Sequence, residues 1–242
     1  MKVREVVSRS LLRLPLGEGH VDYVLVRRRG RRGVGLKVDE NGLTVSAGLS
    51  MPLPLVEALV RESERWIVRK VAEWSGRRVP PASWSEGARL PYLGGGLELQ
   101  LARGTRAMAV ALPGALRVMT RDGSEESIQR AVVAWYKRMA RELLVPRVME
   151  LAARAGIAAP SVTISSAMAL WGSCSSRREV RLAWRLMKAP RDLIDYVICH
   201  ELAHLRHMNH SAAFWAEVER QLPGHAALRK RLFATDHLYR SF

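Results

Sequence analysis

The sequence predicts an α+β fold in which a β-rich N-terminal region precedes a compact mixed domain. Short segments of alternating apolar and polar residues, separated by glycine or proline turns, dominate the first half of the chain. From Ser124 onward, apolar residues instead recur every three or four positions, which is the helical period. We therefore divide the 242-residue chain into an accessory region, residues 1–122, and a second domain, residues 123–242.

The accessory region begins with three predicted strands and a helix. The strands are Val21–Val26, Val34–Val38 and Leu43–Ala47. Asn41 and Gly42 favour a hairpin turn between the last two strands, because both residues tolerate a positive φ. Pro52 and Pro54 indicate the start of a helix, and its apolar residues lie at helical spacing. We expect this helix to pack on the hairpins.

A linker and a second group of short strands follow. Residues 76–86 are rich in proline, arginine and serine, which is typical of a linker or a long loop. The next alternating segments are Leu97–Leu101, Met108–Leu112 and Leu116–Met119. Glycine or proline turns separate them, and so they predict a second small sheet with meander connectivity.

The second domain begins with a long predicted helix. Ser124 is a suitable N-cap, Pro146 is expected to kink or restart the helix, and Gly156 is expected to end it. Two predicted strands follow, Val162–Ala169 and Val180–Met187, joined by a polar turn. Pro190 then opens another helix, with acidic residues near its positive end.

Composition restricts the class of protein. The chain carries 39 lysines and arginines against 23 acidic residues, a formal charge of +16, and its 48% hydrophobic fraction is that of a globular protein. Cys174 and Cys199 are too few for a secreted disulfide scaffold. Charged residues interrupt the first twenty positions, and no stretch is long and apolar enough to span a membrane. We expect a cytoplasmic protein without membrane contact.

The helix after Pro190 contains His200-Glu201-Leu202-Ala203-His204, the H-E-x-x-H pattern. Residues four positions apart share one helical face, so both imidazoles can reach a single metal ion. Glu201 lies about 100° round the helix and can address a water bound to that ion. The spacing therefore predicts His200 and His204 as metal ligands and Glu201 as a catalytic residue.

A catalytic zinc site usually has a third protein ligand. The downstream residues able to supply it include His207, His210, Glu217 and Glu219. His207 shares the face of His200 but lies about 10 Å further along a straight helix, which makes it a neighbour and not a ligand. His210 would point about 240° away from the metal face if the helix continued. It can therefore bind only where the helix ends before it.

The residues around His210 favour such a helix end. Asn209 tolerates the left-handed conformation, and Ser211 is a good N-cap for a second helix that contains Phe214 and Trp215. A helix-turn-helix could then return His210 to the ion. We favour His210 as the third ligand and keep Glu217 and Glu219 as alternatives.

Several motifs follow one another between Trp171 and Trp215. They are Trp171-Gly172-Ser173-Cys174, Trp184-Arg185-Leu186 with Ala189-Pro190, Asp195-Tyr196-Val197, His200-Glu201-Leu202-Ala203-His204-Leu205, and His210 with Phe214-Trp215. In this order they resemble the YgjP-like metallopeptidase family, relatives of the SprT- and WLM-type minimal zinc proteases. Weaker similarity extends upstream and covers nearly the whole chain.

The resemblance implies a zincin-like catalytic domain that binds one zinc ion per chain through His200, His204 and His210. It also implies a hydrolase in which metal-activated water attacks a peptide or protein substrate, with Glu201 as general base. One departure is Ala183, where we expect the family often to carry asparagine.

Three further residues of the motifs are candidates for contact with substrate or for support of the ligands. They are Tyr196, Trp171 and Cys174, and packing alone would also explain each of them. The candidates for stabilising an oxyanion are Tyr196, Tyr239, His207 and His225, and the sequence does not choose among them. The strand Val180–Met187 precedes the metal helix, and an open edge there could bind an extended peptide.

The densest basic cluster consists of Arg27, Arg28, Arg29, Arg31 and Arg32. It indicates either a solvated hairpin or a weak contact with nucleic acid or nucleotide. Two alternative functions follow from the charge. The first is a metal-dependent pyrophosphohydrolase of nucleoside triphosphates, and the second is a nucleic-acid-associated protease or binding module.

Overall fold

The computed structural model describes residues 5–17, 19–39, 42–75 and 82–242. These residues form helices and three small sheets, and so the α+β prediction is confirmed. The chain divides into two compact units, residues 1–79 and residues 80–242. This division precedes the predicted boundary after residue 122, because the second sheet shares a core with the long helix that follows it. Leu99 and Val118 of that sheet lie in one cluster with Val132 and Trp135 of the helix.

The first unit contains a four-stranded sheet. Its strands are β1 (Val6–Leu16), β2 (Gly19–Arg28), β3 (Gly35–Asp39) and β4 (Gly42–Gly48), in the order β1-β2-β4-β3. Strands β3 and β4 form the predicted antiparallel hairpin, whereas β2 and β4 run parallel. Residues 40 and 41, on which the Asn-Gly turn was predicted, lie outside the described residues. Strand β1 has no counterpart among the predicted strands, and most of its residues are exposed.

Two helices pack on this sheet, where a single helix was predicted. Helix α1 (Leu53–Glu62) ends at Ser63, whose hydroxyl donates to the Leu59 carbonyl, and α2 (Glu64–Ser75) follows at once. Val60 and Ile67 from these helices are fully buried in the core of the sheet. The predicted packing of helix on hairpins is therefore confirmed. The predicted linker, residues 76–86, lies partly outside the described residues.

The second unit opens with another four-stranded sheet and a long helix. The strands are β5 (Arg89–Tyr92), β6 (Gly95–Arg103), β7 (Met108–Leu112) and β8 (Ala115–Thr120), in the order β5-β6-β8-β7. Because β6 pairs with β8 in parallel, the sheet is not the simple meander that was predicted. Helix α3 (Glu125–Ala155) begins at the predicted N-cap Ser124 and ends at Gly156. The helix continues through Pro146. Leu144 and Val148 on either side are both fully buried, and their packing offsets the cost of a proline inside a helix.

A three-stranded sheet lies between α3 and the remaining helices in sequence. Its strands are β9 (Ser161–Ser165), β10 (Gly172–Cys174) and β11 (Glu179–Ala183), in the order β10-β11-β9. The predicted strand Val180–Met187 ends at Ala183, because a 3-10 helix, Trp184–Lys188, starts there. The expected open edge on this strand is wrong, since β11 pairs with β10 on one side and with β9 on the other.

Three helices complete the second unit. They are α4 (Arg191–Ala203), α5 (Ala212–Gln221) and α6 (His225–Tyr239). Helix α4 packs into the core through Leu193, Val197 and Leu202, and so its position is held from several sides. No helix among the described residues has the length and apolar character needed to cross a membrane.

The 3-10 helix before α4 is anchored by two buried basic side chains. Lys188 is fully buried, donates to the carbonyl of Ser241 and lies 3.4 Å from the ring centroid of Phe242. Arg185 donates to the carbonyl of Phe242 at 2.7 Å and lies over the ring of Trp184. Burial, assisted by the charge of Arg185, lowers the pKa of Lys188 to about 6. The segment that leads into α4 thus contains an amine that is costly to protonate in the folded state.

This buried amine predicts a pH dependence of stability. The pKa of Lys188 in the folded state, about 6, lies below the value of about 10.4 for an unfolded lysine. Between these pH values the unfolded chain binds more protons than the folded chain, so the free energy of unfolding should rise with pH. The slope from this one group is at most about 1.4 kcal/mol per pH unit.

Lys188→Met should remove this contribution, because methionine fills the space without a titratable group. Denaturant unfolding of the original protein and the variant from pH 6.5 to 9 measures it, with Lys37→Met, a change at an exposed lysine, as control. Equal slopes for the original protein and Lys188→Met would contradict the prediction.

Candidate metal centre

His200 and His204 lie one turn apart at the C-terminal end of α4. Their ring centroids are 5.1 Å apart, and both side chains are half-buried. The helix ends at Ala203, and turn hydrogen bonds from the amides of Arg206 and His207 to the Ala203 carbonyl close its last turn. The local sequence therefore forms the pair of histidines on one helical face that the H-E-x-x-H spacing predicts. The helix ends directly after this pair is formed.

The chain between α4 and α5 brings His210 to this pair. Ser211 is the N-cap of α5 and accepts a hydrogen bond from the amide of Phe214, so a new helix starts directly after His210. The Nε2 atoms of His210 and His200 are 3.1 Å apart. One nitrogen from each of His200, His204 and His210 lies within 4.8 Å of the other two. The expected helix-turn-helix is present, and it unites the three histidines.

The spacing of these nitrogens suits ligands of one ion. Two ligands at zinc–nitrogen distances of 2.0–2.1 Å in a tetrahedral site lie about 3.3 Å apart. The separation of 3.1 Å between the Nε2 atoms of His200 and His210 is close to this value. Nδ1 of His204 donates a hydrogen bond to the carbonyl of His207 at 3.1 Å. The lone pair that can bind a metal ion is therefore on its Nε2 atom.

Aromatic rings of α5 hold the imidazoles in place. The Phe214 ring is fully buried, and its centroid lies 5.0, 4.5 and 4.7 Å from those of His200, His204 and His210. Trp215 stacks on His210 at 5.7 Å. Burial and the neighbouring His204 and His210 lower the pKa of His200 to about 4, so that its ring is neutral at pH 7. Neutral imidazole is the form that binds metal.

Glu201 is buried beside the histidines and touches the backbone of β10. Only 6% of its surface is exposed, and burial raises its pKa to about 7. A Cβ atom placed on Gly172 would lie 2.6 Å from both Cγ and Oε1 of Glu201. The absence of a side chain at Gly172 therefore makes room for this carboxylate.

The role of Gly172 is the main feature of the site that sequence reasoning missed. Its place in the Trp171–Cys174 motif was a usable signal, but the sequence alone also permits an ordinary turn glycine. Phe214 was likewise visible only as a motif residue, although it touches all three imidazoles.

The alternative ligands have other partners. Glu217 is buried and accepts hydrogen bonds from Arg206, Arg220 and Gln221. Glu219 accepts from the Gly224 amide and pairs with Nδ1 of His225. Among the described residues, the three histidines form the only group of three or more His, Cys, Asp and Glu side chains placed to share an ion. The structure therefore does not bring Glu217 or Glu219 into the cluster.

The other candidate residues surround the site in different ways. Tyr196 is buried one turn before His200, with ring centroids 6.1 Å apart. Trp171 packs between Tyr239 and the guanidinium of Arg240, and its indole N–H has no acceptor among the described residues. These contacts place Tyr196 beside the histidines and Trp171 against the C-terminal helix.

Cys174 lies on β10 and is not an activated thiol. Burial and the charge of Glu201 raise its pKa to about 11. A thiol with so high a pKa is almost entirely protonated at neutral pH and is a poor nucleophile. The contact of Cys174 with substrate stays a prediction.

The basic cluster belongs to the first unit, where several of its members bind the protein itself. Arg27 donates to the carbonyls of Gly48 and Met51, and Arg31 donates to that of Gly33. Arg29 pairs loosely with Glu5 at 3.7 Å, and both side chains are largely exposed. Arg32 is exposed and Arg28 half-buried. The binding of polyanions by this cluster stays a prediction.

The convergence of the histidines predicts that each is needed to bind one divalent ion per chain. Alanine at His200, His204 or His210 should reduce stoichiometric zinc binding to a weak residual level, because two nitrogens remain where three converged. Elemental analysis after equilibrium dialysis measures it. His207→Ala is the control, because His207 lies outside the histidine cluster and its hydrogen bond with His204 comes from its backbone carbonyl, which alanine keeps. Full zinc binding by His210→Ala would exclude His210 from the ligand set.

Comparison with known proteins agrees with the motifs. The family model described as YgjP-like, metallopeptidase domain, matches residues 32–235 and so covers most of the chain, including all of the site. No curated protein matches the sequence. Among solved structures, the metallopeptidase zymogen of Pyrococcus abyssi abylysin is similar at 24% identity over 38% of this chain and 92% of that chain, with a TM-score of 0.35. The chain belongs to the YgjP-like metallopeptidase family, and hence to the peptidase-like hydrolases.

Proposed function

We propose that this protein is a zinc-dependent peptidase that hydrolyses an extended peptide bound beside β10. The observation that carries the proposal is the convergence of three histidine nitrogens within 4.8 Å, next to a buried glutamate. Membership of a metallopeptidase family supports hydrolysis of peptides over other uses of such a cluster.

The donor set suits zinc. Three neutral imidazoles with one open position are a common ligand set of catalytic zinc, whereas magnesium and calcium prefer oxygen ligands. His200, His204 and His210 would hold the ion. When bound, zinc supplies a Lewis acid that polarises a carbonyl group and acidifies water.

Glu201 is the proposed general base. Its carboxylate would accept a proton from the attacking water and pass it to the departing amine nitrogen. The close contact with Gly172 restricts where the carboxylate can lie, and its burial limits competition from bulk water. Holding the base in one place in this way reduces the entropy cost of reaching the transition state.

The edge strand β10 is the proposed docking site of the peptide backbone. In the sheet order β10-β11-β9, β10 has a strand neighbour on one side only among the described residues. An extended peptide can add to such an edge through main-chain hydrogen bonds, which do not depend on the identity of most of its side chains. Because Gly172 of β10 touches Glu201, a peptide bound along β10 would pass close to the general base.

Replacing the general base tests the mechanism. Glu201→Gln should retain zinc but lower peptide hydrolysis about a hundredfold to ten-thousandfold, because the amide cannot take the proton. Quenched-fluorescence peptides and nucleoside triphosphates, assayed side by side with metal analysis, measure this. Glu126→Gln, an exposed carboxylate on α3, is the control. Full activity of Glu201→Gln would overturn the mechanism, and metal-dependent turnover of triphosphates alone would overturn the peptidase.

Crowding the base offers an independent test. Gly172→Ala should lower kcat about a hundredfold, because the new Cβ atom would displace the Glu201 carboxylate and small displacements of a catalytic group are costly. Zinc binding should persist, since the three histidines are untouched. Gly19→Ala is a matched control, because a Cβ atom there meets nothing within 4 Å. Unchanged kcat in Gly172→Ala would show that the contact does not position the base.

A further inference from the structure

A pocket lies beside the histidine cluster, between Trp215 of α5 and the first turns of α6. It measures about 500 Å³. Its lining consists of Trp215, His225, Ala226, Arg229, Lys230 and Phe233. The mechanism proposed above uses none of these side chains in a chemical step. The pocket therefore needs an explanation of its own.

Trp215 is the wall shared by this pocket and the metal centre. Its ring stacks on His210 with centroids 5.7 Å apart and on His225 with centroids 5.5 Å apart. The guanidinium of Arg229 lies 4.5 Å from the same indole. One indole ring thus contacts both a cation and a ligand of the proposed zinc site.

Within the described part of the chain, the cations of this pocket have no carboxylate partner. Arg229 and Lys230 form no ion pair with any described residue. Other arginines in this part of the fold do form such pairs, namely Arg206 and Arg220 with Glu217, Arg231 with Asp192, and Arg240 with Asp236. Glu219 lies next to His225, and its carboxylate is hydrogen-bonded to that histidine and to the Gly224 amide.

We propose that this pocket binds an acidic side chain of the peptide substrate, with Arg229 as the main contact and Lys230 as a second one. The proposal rests on the peptidase function proposed above. Stacking on Trp215 holds the guanidinium near the metal centre before substrate arrives, which lowers the entropy cost of forming the ion pair. The pocket carries positive charge without a lining carboxylate, and so it favours aspartate or glutamate and disfavours lysine or arginine.

The position of the acidic residue follows from the geometry. An extended peptide advances about 3.3 Å per residue. The Arg229 guanidinium and the His210 ring lie 4.5 and 5.7 Å from the same indole, and so they are close to each other on this scale. The acidic residue should therefore lie within about three residues of the scissile bond, in the part of the peptide that runs past Trp215.

The test uses pairs of quenched peptides that differ only in carrying glutamate or glutamine at one of the three positions on either side of the scissile bond. At one position or more, kcat/KM should be about fivefold higher for glutamate, since a partly exposed ion pair contributes little more than this. Arg229→Gln should abolish the difference, so that the glutamate and glutamine peptides are cleaved at similar rates. Arg231→Gln is the matched control, because it removes the same charge from α6 at a residue outside the pocket lining.

A binding measurement separates this inference from the peptidase proposal. Fluorescence titration of the Glu201→Gln protein with the same peptides requires no turnover. The glutamate peptide should bind about fivefold more tightly than the glutamine peptide, less so at high salt, and Arg229→Gln should remove this preference.

Each contrary outcome points to one proposal. Cleavage of both peptides at equal rates, or an equal loss in Arg229→Gln and Arg231→Gln, would overturn the pocket but not the peptidase. Absence of any peptide cleavage by the original protein would overturn the peptidase, while selective binding of the acidic peptide would still support the pocket. Arg229-dependent binding of nucleoside triphosphates, without selective binding of the acidic peptide, would overturn the inference.

Discussion

The end of helix α4 is the constraint on which the site depends. If the helix continued beyond His204, the side chain of His210 would point about 240° away from the face that carries His200 and His204. The turn hydrogen bonds of residues 205–207 and the new N-cap at Ser211 stop one helix and start the next. The His204 ring itself donates to the carbonyl of His207 within this turn. The same segment therefore orients one imidazole and delivers another.

Packing explains why the site needs a whole domain around a short motif. Phe214 touches all three imidazoles and is itself buried in the core that holds α4. Strand β10 comes so close to Glu201 that only glycine fits at position 172. The 3-10 helix that leads into α4 is held by Arg185, which donates to the Phe242 carbonyl, and by Lys188, which donates to the Ser241 carbonyl. The histidines and the glutamate are thus positioned by contacts from the sheet and from several helices.

Many of the positively charged side chains form contacts within the protein. In the first unit, Arg27 and Arg31 bind backbone carbonyls. In the second unit, Arg147 forms a two-pronged pair with Asp195, at 2.8 and 2.6 Å, which ties α3 to α4. A formal charge of +16 is therefore a poor guide to function, because many guanidinium groups bind the protein itself. Arg229 and Lys230 differ from these, since they line a pocket beside the metal centre and form no ion pair with any described residue.

The sequence by itself determined the features that depend on neighbours along the chain. Helical period, the caps at Ser124 and Gly156, and the spacing of His200 and His204 are local, and the structure has them where the pattern indicated. Strand neighbours, the extent of the second unit and the contact of Gly172 with Glu201 were decided only by the tertiary structure. The meeting of His210 with His200, and the engagement of Glu217 and Glu219 elsewhere, were decided in the same way. These features join residues that are distant in sequence or that lie across a turn, so the periodicity of one segment carries no information about them.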